Sequence, residues 1–144
     1  MKLEHLIQAY NFNKIPTKID KEINQDKERA GVIKYNEDIN GSYLLDDEGI
    51  VVAINIFNNC VVENNKTMVN QLKHTTNTLT IIQKTIELLG NTKQEEANQI
   101  LKQLGIFSGK IKRKAVRFTN YVYKIDVANG LLVFSMLEEA EKQI

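Results

Sequence analysis

The sequence predicts an α+β fold in which an antiparallel β-meander and a C-terminal β-hairpin pack on a long helix and a helical hairpin. Three observations carry that prediction. Between residues 32 and 63, short β-rich runs alternate with turn residues, the pattern of strands joined by tight connections. From Met68 to Leu89 the apolar residues change to spacings of four and three, the period of a helix. Beyond residue 110 an alternating pattern returns on both sides of Asn129-Gly130, a pair that accepts the positive φ of a hairpin turn.

A chain of 144 residues with 42% apolar and 26% charged side chains can bury one core and is expected to form a single domain over 1–144. No Gly-, Ser- or Pro-rich linker divides it. The N-terminal part, 1–31, reads as two helices. Leu3, Leu6, Ile7 and Tyr10 share one face of the first. After Pro16, Thr17 suits an N-cap, and Ile19, Ile23 and Ala30 give the second a thin apolar side that ends at Gly31.

In the meander, 32–63, strands are expected at Val32 to Tyr35, Tyr43 to Leu45, Ile50 to Phe57 and Cys60 to Val62. Asn40-Gly41, Asp46 to Gly49 and Asn58-Asn59 serve as the breaks. In the third run Val52, Ile54 and Ile56 alternate with Val51, Ala53, Asn55 and Phe57. Both faces are therefore largely apolar, as in a central strand.

The helical hairpin, 65–105, begins with the seam Met68, Leu72, Thr75, Leu79, Ile82, Ile86 and Leu89. Thr76, Thr78, Thr80 and Ile82 also alternate at period two, a rival strand reading that the longer seam outweighs. Thr92 with Glu95 forms a capping box for the next helix, whose apolar side is Ala97, Ile100, Leu101 and Leu104 before Gly105. The last part, 110–144, holds a strand from Val116 to Val127, a second from Leu131 to Met136, and a short terminal helix through Leu137, Ala140 and Ile144.

Charge narrows the function. With 19 basic and 18 acidic side chains the net charge is +1, so any electrostatic role must be local. No apolar run is long enough to span a bilayer, and the one cysteine, Cys60, cannot form an internal disulfide. The expectation is a cytoplasmic protein without membrane contact. His5 and His74 lack partners at metal-ligand spacing, Asp46, Asp47 and Glu48 do not form an EF-hand loop, and Cys60 has no evident base. Ser108-Gly109-Lys110 lacks the upstream glycine of a phosphate loop. No catalytic residue, metal or cofactor is assigned, and a binding role is favoured over an enzymatic one.

The most suggestive stretch is basic and aromatic: Lys112, Arg113, Lys114, Arg117, Tyr121, Tyr123 and Lys124. Read as one strand, it sets Arg113, Arg117, Tyr121 and Tyr123 on one side and Val116, Phe118 and Val122 on the other. Cations beside rings can hold phosphates and stack bases; the same cations can also simply guard an edge strand. The expected function is a non-catalytic regulatory protein that contacts nucleic acid through this hairpin.

One alternative is a protein partner, such as an enzyme of nucleic-acid metabolism that the chain would inhibit; another is a small enzyme with an unrecognised site. Met68, Val69 and Leu72 are the candidate docking residues, since the following helix is too short to cover the whole seam. A second copy is another cover, which would make a homodimer. The order helix, turn, helix, basic hairpin resembles the second half of a winged-helix domain, but Glu95 and Glu96 sit where that role meets phosphates, so the family is not assigned. The abundance of asparagine, lysine and isoleucine resembles small accessory proteins of phages and plasmids, which implies a regulator or inhibitor.

Overall fold

The computed structural model describes residues 1–22, 29–36, 39–58, 68–106, 112–128 and 131–139, and the side chains at 20–22, 68–76, 128 and 131 lie outside that description. Helix α1 is Leu3–Phe12, followed by strands β1 (Lys18–Glu22), β2 (Ala30–Lys34), β3 (Ile39–Leu45) and β4 (Val51–Asn58). Helices α2 (Met68–Leu89) and α3 (Gln94–Gln103) come next, then β5 (Lys114–Phe118), β6 (Tyr121–Ala128) and β7 (Leu131–Glu138). The seven strands form one antiparallel sheet in the order β1-β2-β3-β4-β7-β6-β5. The meander and the C-terminal strands thus meet along β4 and β7. β4 is the middle of the seven strands, paired with β3 on one edge and β7 on the other.

One face of the sheet holds the core. Ile33, Tyr43, Ile54, Ile56, Phe134, Met136, Tyr123 and Ile125 are buried there in one cluster with Leu6 and Tyr10 of α1, Ile81, Ile82, Ile86 and Leu89 of α2, and Ile100 and Leu101 of α3. Asn58 donates from β4 to Thr78 of α2 at 2.9 Å, so two buried polar side chains satisfy each other. Deeper in, Tyr35 donates to Tyr10, Tyr10 to Thr85, and Thr85 to the Ile81 carbonyl, a chain that joins the residue after β2 to α1 and α2. Burial pushes the Tyr10 phenol up to about 12 and holds Tyr35 well above its ordinary value, because neither anion can be hydrated.

The long helix is continuous through 75–82, so the seam prevails over the threonine alternation. Thr78 and Thr85 face inward and spend their hydroxyls on Asn58 and on the helix backbone. No helix among the described residues is long and apolar enough to cross a membrane.

Several local expectations are corrected. Residues 18–22 are a strand rather than part of a second helix: the apolar side was too thin to hold a helix, and pairing with β2 satisfies the backbone instead. Asn40-Gly41 lies inside β3. A Cβ on Gly41 would stand 2.8 Å from the Asn55 carbonyl oxygen and 3.0 Å from the Tyr35 ring, so this glycine serves close approach rather than a turn.

A bulge between Leu44 and Leu45 leaves Val52 unpaired and turns Val51 inward with Ile54 and Ile56. The N-cap of α3 is Lys93, whose N–H donates to Glu96, because Thr92 donates its hydroxyl to the Ile86 carbonyl at the end of α2. β7 runs on to Glu138, so Leu137 is not helical. The strand and terminal helix expected at Cys60 to Val62 and at Ala140 to Ile144 fall outside the described residues.

Candidate nucleic-acid interface

The basic segment does not form one strand. Phe118 pairs with Tyr121 across a two-residue turn at Thr119-Asn120, which separates β5 from β6. Thr119 holds φ 55°, a conformation that glycine adopts freely and a β-branched residue adopts at a cost. That turn reverses the direction of the chain and breaks the alternation read across it. Arg117 pairs with Val122, whereas Tyr121 pairs with Phe118 and Tyr123 with Val116. Arg117 and the two tyrosines therefore lie on opposite faces.

The tyrosines point to the side of the core. Tyr123 is fully buried, packs against Phe134 with ring centroids 6.4 Å apart, and would touch any Cβ added at Gly90. Burial raises its phenol, and that of the half-buried Tyr121, where Glu138 adds repulsion. Tyr123 has no face to offer a base. Strands β6 and β7 are also interior, with β7 bonded to both β4 and β6, so they cannot act as a free wing.

The cations gather elsewhere. Lys112, Arg113, Lys114, Arg117 and Lys124 are all exposed. Arg113, Ala115, Lys124, Asp126, Val133 and Ser135 surround a shallow depression of about 440 Å³ on the face opposite the helices, with Lys114 at its rim. Arg113 pairs with Asp126 at 3.5 Å and Arg117 with Glu139 at 3.3 Å. Both arginines remain mostly exposed, so these pairs stabilise little and can be exchanged for another anion.

Register places three rows across this open face. Ala30, Leu44, Ala53, Leu137 and Val122 run to Arg117. Val32, Ser42, Asn55, Ser135 and Lys124 run to Ala115, with Asn55 donating to Ser42 at 3.2 Å. Lys34, Asn40, Phe57, Val133 and Asp126 form the third row, bounded by Lys18 at one end and by Arg113 at the other. Among the described residues no element covers these rows.

Of the residues singled out from sequence, Arg113 and Lys124 come together, Arg117 joins them from the end of the first row, Lys114 pairs with Ile125 and so has the parity of the covered face, and Lys112 precedes them. The side chains of Met68, Val69 and Leu72 lie outside the described residues, as do Cys60 and Ser108 to Lys110. Asp46 is occupied locally, accepting from the Glu48 and Ile50 N–H groups to shape the β3–β4 turn, and Asp47 pairs with Arg29. His5 is exposed on α1. Among the described residues no group of His, Cys, Asp and Glu is arranged to hold a metal ion.

The open face itself was missed, because its members are spread over six strands. The one available signal was that β4 carries apolar residues on both sides. Comparison with models of known families, with curated proteins and with solved structures finds no match to this chain.

Proposed function

We propose that this chain is a non-catalytic regulatory protein that contacts the phosphates of a nucleic acid with Arg113, Arg117 and Lys124, on the helix-free side of the sheet. The observation that supports the reading is a local excess of positive charge in a protein whose net charge is only +1. Lys124 and Arg113 border one depression, and Lys18 and Lys34 face each other at the far side of the same surface. Like charges directly across a strand pair repel, so an anion laid over them is favoured. The two carboxylates near the arginines are held by weak, exposed pairs that phosphate can replace.

A titration of labelled DNA and RNA oligonucleotides at several salt concentrations tests the reading. Three phosphate contacts on a duplex give log affinity a slope of about −2.7 against log salt. Reversing Arg113 and Lys124 to glutamate should abolish most binding. Reversing Lys93, the N-cap of α3, and Lys102, in its last turn, both exposed, is the control. Equal losses in both variants would mean diffuse attraction and reject the site.

A protein partner is a second reading, favoured by the first row, where Leu44 is 46% and Leu137 43% exposed. Such a partner would bind through Leu44 and Leu137, with little dependence on salt.

A further inference from the structure

The nucleic-acid reading leaves open what lies over the middle of the sheet, where Phe57 stands. Phe57 is on β4, the central strand, and its parity is opposite to that of Ile54 and Ile56, which are fully buried. It pairs with Asn40 on β3 and Val133 on β7. Asn55 precedes it by two residues on the same face, and Ser42 and Ser135 lie diagonally. All of these side chains are smaller than a phenyl ring. Phe57 is therefore the largest side chain on this part of the face, and it belongs to the helix-free side rather than to the core cluster.

Charge flanks it on both sides. Lys34 lies two strands away in one direction; Lys124 and Asp126 lie two strands away in the other, with Arg113, paired to Asp126, one strand further. At about 4.8 Å per strand and 3.4 Å per residue along it, Lys34 and Asp126 are roughly 10 Å from Phe57 across the sheet and Lys124, one row along, roughly 12 Å. Polar groups fill the interval. Because Asn55 gives its amide N–H to Ser42, the Asn55 carbonyl oxygen and the Ser42 hydroxyl proton remain for a ligand. A flat surface with a central ring, hydrogen-bonding groups beside it and cations at both ends complements a chain whose phosphates are separated by exposed aromatic faces.

From this juxtaposition we infer that the open face selects single-stranded nucleic acid and that Phe57 stacks on a base while Lys34 and Lys124 hold phosphates on either side. A duplex cannot use the ring, since its base faces are already stacked and it presents only backbone to a flat sheet. The inference rests on the nucleic-acid reading above and names the class of ligand.

Fluorescence anisotropy with a labelled oligothymidylate, an oligouridylate and a blunt DNA duplex of equal length tests it, using the wild type, Phe57→Ala, Phe57→Tyr and Lys124→Glu. Denaturation curves first establish that each variant is folded. The expected result is tighter binding of the single strands. Phe57→Ala should weaken them by about 5- to 150-fold, the range for loss of one base stack, while duplex affinity changes less than about twofold. Phe57→Tyr, which keeps a ring, should bind nearly as the wild type does.

Duplex binding as tight as single-strand binding, or equal effects of Phe57→Ala on both, overturns the single-strand inference and leaves the phosphate site standing if Lys124→Glu still weakens binding. Failure of every oligonucleotide to bind at low salt removes both readings and leaves the face to a protein partner.

Discussion

The two faces of the sheet are made by alternate residues of the same strands, yet they have opposite characters. On the helix-covered face Ile54, Phe134, Tyr123 and Met136 are essentially inaccessible. On the other face their immediate neighbours, Asn55, Ser135, Lys124 and Leu137, retain contact with water. The difference teaches that β4 owes its central place to pairing on both edges rather than to burial on both faces. An apolar residue such as Leu137, 43% exposed on the open side, then adds little to stability and is free to serve binding.

Truncation on the two faces should break or sustain that contrast most clearly. Ile82→Ala and Ile86→Ala, from α2 into the core, are expected to cost about 2–5 kcal/mol each through lost burial and a residual cavity. Leu137→Ala on the open face should cost about 0.5 kcal/mol or less. Urea denaturation measures both. Similar losses on both faces would show that the open face is covered and would end its candidacy as a binding surface.

The next effect is electrostatic and belongs to the covered face alone. Tyr10 titrates near 12 in the folded protein, against 10.0 for an unperturbed phenol, because burial opposes the anion. A raised pKa means that the unfolded chain releases its proton first. The stabilisation is complete below about pH 10 and is lost as pH rises through 12, amounting to at most about 3 kcal/mol. Tyr35, also raised, acts in the same direction. Stability measured between pH 9 and 12 should therefore fall, and Tyr10→Phe should flatten the fall. An unchanged slope in Tyr10→Phe would place the loss elsewhere.

The smallest effect is expected at the basic edge, where Thr119 carries backbone strain that nothing in the core imposes. Thr119→Gly should stabilise the protein by about 1 kcal/mol or less, since relief of strain is offset by the greater freedom of an unfolded glycine. A thermal melt showing destabilisation instead would mean that the Thr119 side chain, whose hydroxyl donates to the Phe118 carbonyl at 2.7 Å, contributes more than the turn costs.

Periodicity alone determined much of this protein. The class, α1, the long helix, the presence of β4 and the separation of β6 from β7 all follow from residues close in sequence, because a helix or strand is specified by its own spacing of apolar side chains. Tertiary structure decided the rest. Lys18–Glu22 could become a strand only once β2 lay beside it. Gly41 could remain inside β3 only because the Asn55 carbonyl and the Tyr35 ring approach it. Thr119-Asn120 has no glycine and sets a β-branched residue at the positive-φ position, so the reversal that buries Tyr123 and separates it from Arg117 owes more to pairing than to local preference. The candidate site is of the same kind: Lys34, Phe57 and Lys124 are separated by more than twenty residues at each step, and only the strand order β2-β3-β4-β7-β6 sets them on one surface. Strand pairing is a long-range interaction, and a sequence read one window at a time holds the strands but not their order.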